Sequence, residues 1–167
     1  MIGIGRAYSL TFENVAVSAA QDLFYVKPTT DKICVIEAVY LSNVGGTADA
    51  GDAQEELLRL VLNRLPATVT VGSSGSASAT GTLNPLAVND TAAGFTGRTN
   101  DTTPATTSGT ARTLHADGWN GRVPYVYMPP PENRVIVANA EAVVFKLLST
   151  PADSFQVSGT MIVRELP

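Results

Sequence analysis

The chain has 167 residues, enough for one domain with a real buried core and short for two. Its formal net charge is −4, only 16% of its residues are charged, and it carries one cysteine and one histidine. That balance disfavours nucleic-acid binding, excludes an internal disulfide, and leaves a transition-metal site short of its preferred ligands.

In chain order, the opening "MIGIGR" has no apolar run of signal-peptide length, and nothing later approaches a membrane span, so the expectation is a single domain over 1–167 made in the cytosol. "YSLTF" then alternates, placing Tyr8, Leu10 and Phe12 on one face of a strand. "DLFYVKP" reads as a short strand stopped by Pro28, and "KICVIEAVYL" as a longer one rich in β-branched residues, with Cys34 as a small buried hydrophobe. The next segment, 49–66, carries two patterns. Leu57, Leu58, Val61, Leu62 and Leu65 make a helical stripe, whereas Leu58, Leu60 and Leu62 alternate as a strand would. The strand is preferred, preceded by a helical turn at 53–56.

Residues 67–113 differ in kind, being built of Gly, Ser, Thr and Ala with Phe95 as their lone aromatic. A loop of this length within a compact domain is usually functional or disordered. The expectation is an extended arm or long excursion, able to hold one hairpin, that orders on contact with a partner such as a neighbouring subunit, to which it offers backbone groups for pairing. Beyond it come "ARTLHADGW", "RVPYVYM", "NRVIVAN", "AVVFKLL" and "FQVSGTMIVREL", separated by turn residues that include Pro129-Pro130-Pro131. Many short strands at regular spacing predict an all-β fold, an antiparallel β-sandwich or barrel.

Chemistry-bearing motifs are scarce. "GSSGS" at 72–76 lacks the last glycine of a nucleophile elbow, and "GIGRAY" at 3–8 has Tyr8 where a dinucleotide fingerprint has glycine. His115 stands alone, and Asp49, Asp52, Glu55 and Glu56 do not have the spacing of a calcium loop. The expectation is therefore no enzyme, no cofactor and no metal. Interfaces favour arginine and aromatics over lysine, and eight of the eleven cations here are arginine, since only Lys27, Lys32 and Lys146 are lysine. Candidate contact residues are accordingly Arg6, Phe95, Arg98, Arg112, Trp119 and Arg122. Trp119, Tyr125 and Tyr127 also read as core residues, with both tyrosines on one strand face beneath the proline turn, or as a platform for a sugar ring.

The segments "VAVSAAQDLFYV", "VIEAVYLSN", "DAGDAQEELLRLVLNR" and "PADSFQVSGTMIVREL", with the Gly/Ser/Thr-rich middle between the last two, resemble small virion proteins of tailed bacteriophages and prophages, capsid decoration (cement) proteins among them. The resemblance implies a jelly-roll-like sandwich that self-associates, commonly as a homotrimer. It also implies a place in the virion, on the outside of an icosahedral head, in contact with the major capsid protein. It brings no catalytic residues. A carbohydrate- or receptor-binding module and a tail structural protein are the alternatives.

Overall fold

The computed structural model describes residues 5–45, 57–74, 79–80 and 83–167, with backbone alone at 79–80. These residues form β1 (Arg6–Val17), β2 (Gln21–Pro28), β3 (Ile33–Gly45), β4 (Leu57–Leu65), β5 (Val69–Thr70), β6 (Ala79–Thr80) and β7 (Leu83–Pro85). They continue as β8 (Phe95–Asp101), β9 (Thr106–Thr107), β10 (Arg112–Asn120), β11 (Tyr125–Tyr127), β12 (Val135–Val137), β13 (Ala142–Leu147) and β14 (Phe155–Leu166). One 3-10 turn, Pro131–Asn133, follows from the proline run.

Two antiparallel sheets face each other. The first has the order β11–β3–β14–β1–β7, with β12 also on β3; the second has the order β10–β4–β13–β2–β8–β6. The core between them is the product of period-two alternation. On β14, Phe155, Val157, Met161 and Val163 are buried while Gln156, Ser158, Thr160 and Ile162 are only partly so. Tyr8, Leu10 and Phe12 point inward from β1 as their spacing predicts, and they meet Phe24 and Phe95 from the second sheet. With the strands of 66–111 set aside, the first sheet reads β1–β14–β3–β11/β12 and the second β2–β13–β4–β10. Most connections then cross from one sheet to the other, which is a jelly-roll-like order.

Segment 57–65 is a strand, as preferred: Leu58, Leu60 and Leu62 face the core and β4 is flanked by β10 and β13. The turn expected at 53–56 and the acidic group Asp49, Asp52, Glu55 and Glu56 lie outside the described residues.

The long Gly/Ser/Thr-rich excursion between β4 and β10 is present, and its described part returns onto the chain's own sandwich. Strand β8 lies beside β2 and extends the second sheet, and β7 lies beside β1 and extends the first. The β5–β9 ribbon crosses the outer surface of the second sheet, where Tyr25, Leu65, Ala105, Ala142 and Val144 form a second, smaller core with Val69 against it. This cover explains why Gln21 to Val26 are all buried: β2 is covered on both faces.

Small polar residues can do this because ladder pairing needs backbone, not bulk. Gly97 shows the geometry, since a Cβ there would sit 3.0 Å from a Leu10 methyl. Polar groups carried inward find partners, with Asn100 Nδ2 an exception. The Gln21 amide donates to Asn100 Oδ1 at 3.0 Å, the Arg98 guanidinium makes two bonds of 2.8 and 2.7 Å to Asp101, and the Ala105 N–H donates to Asp22 Oδ2 at 2.7 Å. Lys146 Nζ lies 3.2 Å from the other Asp22 oxygen.

Gly159, in the middle of β14, leaves room for the Phe12 ring, which an added Cβ would approach to 2.6 Å. Gly159→Val is therefore expected to lower stability by about 2 kcal/mol through overpacking, measured as a fall in the urea midpoint at unchanged slope.

Candidate interaction surface

Several exposed apolar side chains stand on the outer face of the first sheet, while others, Leu57, Leu86 and Val88 among them, lie elsewhere. Inward-facing Tyr125 and Tyr127 on β11 force Val126 outward by alternation, and β11 pairs with β3 so that Val126 stands opposite Tyr40. The same row continues across β14 and β1 as Thr160 and Thr11. Tyr40 is 39% exposed, Val126 54%, Met128 64% and Ile136 54%, in contrast to the fully packed inner face. The Tyr40 hydroxyl points at Met128 Sδ, 3.8 Å away.

Beside this apolar row lies an open groove of about 460 Å³, lined among others by Thr11, Tyr40, Ser42, Pro124, Ser158 and Thr160. Exposed Glu13 also lines it, beside the hydroxyls of Thr11, Ser42, Ser158 and Thr160. A bulge in β1 shapes one end: Asn14 sits at φ 52 and its N–H donates to Ser158 Oγ at 2.9 Å. Beyond Glu13, charged groups on this face pair with one another. Glu37 takes two bonds from Arg164, at 2.8 and 3.1 Å, and one from Arg134 at 2.8 Å. The arrangement is suited to adhesion, with a desolvable apolar row, hydroxyls for hydrogen bonds and neutralised ions beside them.

The residues selected from sequence do not converge on this face. Phe95 and Trp119 are core residues: Phe95 meets Tyr8 edge-on at 5.5 Å, and Trp119 lies 5.7 Å from the Phe155 ring. Both were chosen for aromatic content, but each packs where its strand turns it inward, so neither is available to a partner. Tyr125 and Tyr127 are buried as well, which removes all three rings of the sugar platform from the surface. Arg98 is bound to Asp101 under the ribbon. Arg6 is exposed at the far edge of the first sheet, 3.9 Å from Glu165 and hydrogen-bonded to the Thr91 hydroxyl. Arg112 and Arg122 are exposed near opposite ends of β10, so the six are scattered over the molecule. Tyr40, Val126, Met128 and Ile136 were missed, although "YVYM" held the signal: if its tyrosines face inward, Val126 and Met128 must face out.

Among the described residues no group of three or more His, Cys, Asp or Glu could hold a metal ion. Burial pushes the Cys34 thiol up to about 12, with Glu165 adding to the effect, so Cys34 is a core residue and not a nucleophile at neutral pH. Desolvation likewise raises the Tyr125 and Tyr127 hydroxyls above their ordinary value. His115 lies at the seam of the two sheets, its Nε2 3.3 Å from the Tyr125 hydroxyl and its ring 4.6 Å from Tyr127.

No protein-family model, no curated protein and no solved structure matches the chain.

Proposed function

We propose that this chain is a structural virion protein of the capsid-decoration type, an oligomer that adheres to the outside of a phage head through contacts with the major capsid protein. The single observation that carries the reading is the outer face of the first sheet, where Tyr40, Val126, Met128 and Ile136 stand exposed on a rigid sandwich. A shell protein repeats each modest contact by symmetry, so attachment needs many such faces and no reactive group. The charged fraction of 16%, low for a soluble domain, is in keeping with surface covered in an assembly. The sequence resemblance supplies the head as the lattice in question, and the trimer as the expected oligomer.

The test is co-sedimentation with heads stripped of their own decoration protein, alongside sizing of the free protein. Wild type is expected to pellet with heads and to run larger than a monomer at micromolar concentration. Val126→Asp is expected to reduce pelleting by at least about tenfold, since a charge brought into a desolvated contact costs more than 1.4 kcal/mol. Because Val126 is exposed, the same change should leave folding stability within about 0.5 kcal/mol. A wild-type protein that stays monomeric and remains in the supernatant overturns the reading.

A further inference from the structure

The geometry points to a second contact: we infer that the open edge of β10 pairs with the same edge of a second copy of this chain. Strand β10 is hydrogen-bonded to β4 on one side, and among the described residues no strand lies on its other side. Six of its first seven residues are exposed, and a Cβ built on Gly118 meets nothing within 4 Å. A long free edge is a template for another strand, and proteins usually blunt it with proline or by keeping it short. The other edges here are blunted in that way. Strand β11 is three residues long between Pro124 and Pro129, β12 is three residues, β7 is three residues ending in Pro85, and β6 is two. β10 has nine residues and no proline, and its one irregularity, a bulge between Thr113 and His115, leaves the regular run His115–Asn120 unblunted.

The charge pattern selects the occupant. His115 and Asp117 pair with Leu62 and Leu60 of β4, so both side chains lie on one face with Ala116 between them on the other. Antiparallel pairing about a twofold axis through Ala116 sets His115 opposite Asp117 of the second copy, and Asp117 opposite its His115. Each imidazole N–H then faces a carboxylate, twice per contact, whereas any partner strand carrying two like charges there would lose one of the pairs. The opposite face carries Ala116 at the axis and sets Leu114 of each copy against Gly118 of the other, so each larger side chain meets a glycine. Within one chain His115 Nε2 lies 3.3 Å from the Tyr125 hydroxyl and 3.8 Å from Asp117, which leaves Nδ1 for the second copy, and Asp117 is half exposed.

Such a contact goes beyond attachment to a shell, because it joins two copies through a part of the molecule separate from the apolar row around Tyr40. It would link subunits, or closed rings of subunits, edge to edge.

Ala116→Cys tests it. On the axis the two Cα atoms would stand roughly 4.5–5.5 Å apart, within disulfide span, and buried Cys34 does not compete. Thr113→Cys, on the same strand but off the axis, would place its thiols roughly 20 Å apart and serves as control. Under mild oxidation the Ala116→Cys chain is expected to crosslink at least about tenfold faster than the Thr113→Cys chain, because pairing raises the effective thiol concentration. Adding Asp117→Lys to the Ala116→Cys chain should remove that advantage, since lysine then faces His115 of the second copy. Equal rates for the two cysteine chains, or an Ala116→Cys rate unmoved by Asp117→Lys, overturns the inference. All three positions are exposed, so thermal melts of the variants should match wild type and separate lost pairing from lost folding. Failure here leaves the head-binding reading intact, and a protein that ignores heads can still crosslink at Ala116→Cys.

Discussion

Replacing Trp119 by alanine is expected to lower folding stability by about 3–5 kcal/mol, the range for emptying a large aromatic site in a close-packed core. The side chain is 2% exposed and closes one end of the sandwich between β10 and the Phe155 ring of β14. Its indole N–H donates to the Val123 carbonyl at 2.7 Å, so truncation also orphans an acceptor in the 120–123 turn. Urea unfolding followed by tryptophan-independent circular dichroism reads the change directly. A loss below about 1 kcal/mol would mean that the site collapses around the smaller side chain or that Trp119 is not packed as described. The result also bears on sugar recognition: any binding lost with Trp119 would follow from the fold, because the ring is not at the surface.

Asp22→Ala is expected to cost about 3 kcal/mol and to act locally. Asp22 is buried on β2 with Asp101 of β8 directly opposite, Lys146 of β13 at one oxygen and the Ala105 N–H at the other. Removing the carboxylate strands the Lys146 ammonium and the Ala105 N–H together. The ribbon held by Ala105 should then lift, seen as faster hydrogen exchange at Ala105 to Thr107 and protease cleavage within 102–110, with the main core still protected. Uniform loss of protection across both sheets would contradict the local reading.

The same residue sets an unusual pH response. Burial is the largest influence on Asp22 and raises its carboxyl above 3.8, outweighing the Ala105 N–H and Lys146, which pull the other way; Asp101 adds to the rise. The folded chain therefore binds this proton more tightly than the unfolded chain. The contribution of Asp22 is most favourable below pH 3.8 and declines as pH rises through the raised folded value. Mild acid should accordingly leave the ribbon closed. Exchange at Ala105 to Thr107, corrected for intrinsic rates, is expected to be no faster at pH 5 than at pH 7.

The sandwich was legible because its signal is carried by apolar alternation, which β14 follows residue by residue and β1, β3 and β4 follow with local breaks. The insertion was not, because what holds it in place leaves no apolar trace. Thr99, Asn100 and Asp101 are buried through hydrogen bonds and an ion pair to residues three to eighty positions away, and such partners cannot be read from local composition. Phe95 was the available clue: a lone aromatic in a polar stretch is more readily a core anchor than a contact residue. The exposed apolar face was missed for a related reason. Arginine and aromatic content was used to choose residues, whereas exposure is decided by which face of the strand each residue takes, and that choice favours Val126 over Tyr125 and Tyr127.

The position of β14 has a consequence for how the molecule comes into being. The strand latest in chain order is the middle of the first sheet, seated between β1 and β3. Until its twelve residues are available, neither neighbour has its partner, and both present unpaired, apolar-faced edges. Assembly of the sandwich must therefore wait for the end of this segment to emerge during synthesis. Because so many of its contacts join residues distant in sequence, acquisition of the native state should be slow, in the millisecond-to-second regime of all-β domains and not the microseconds of helical bundles.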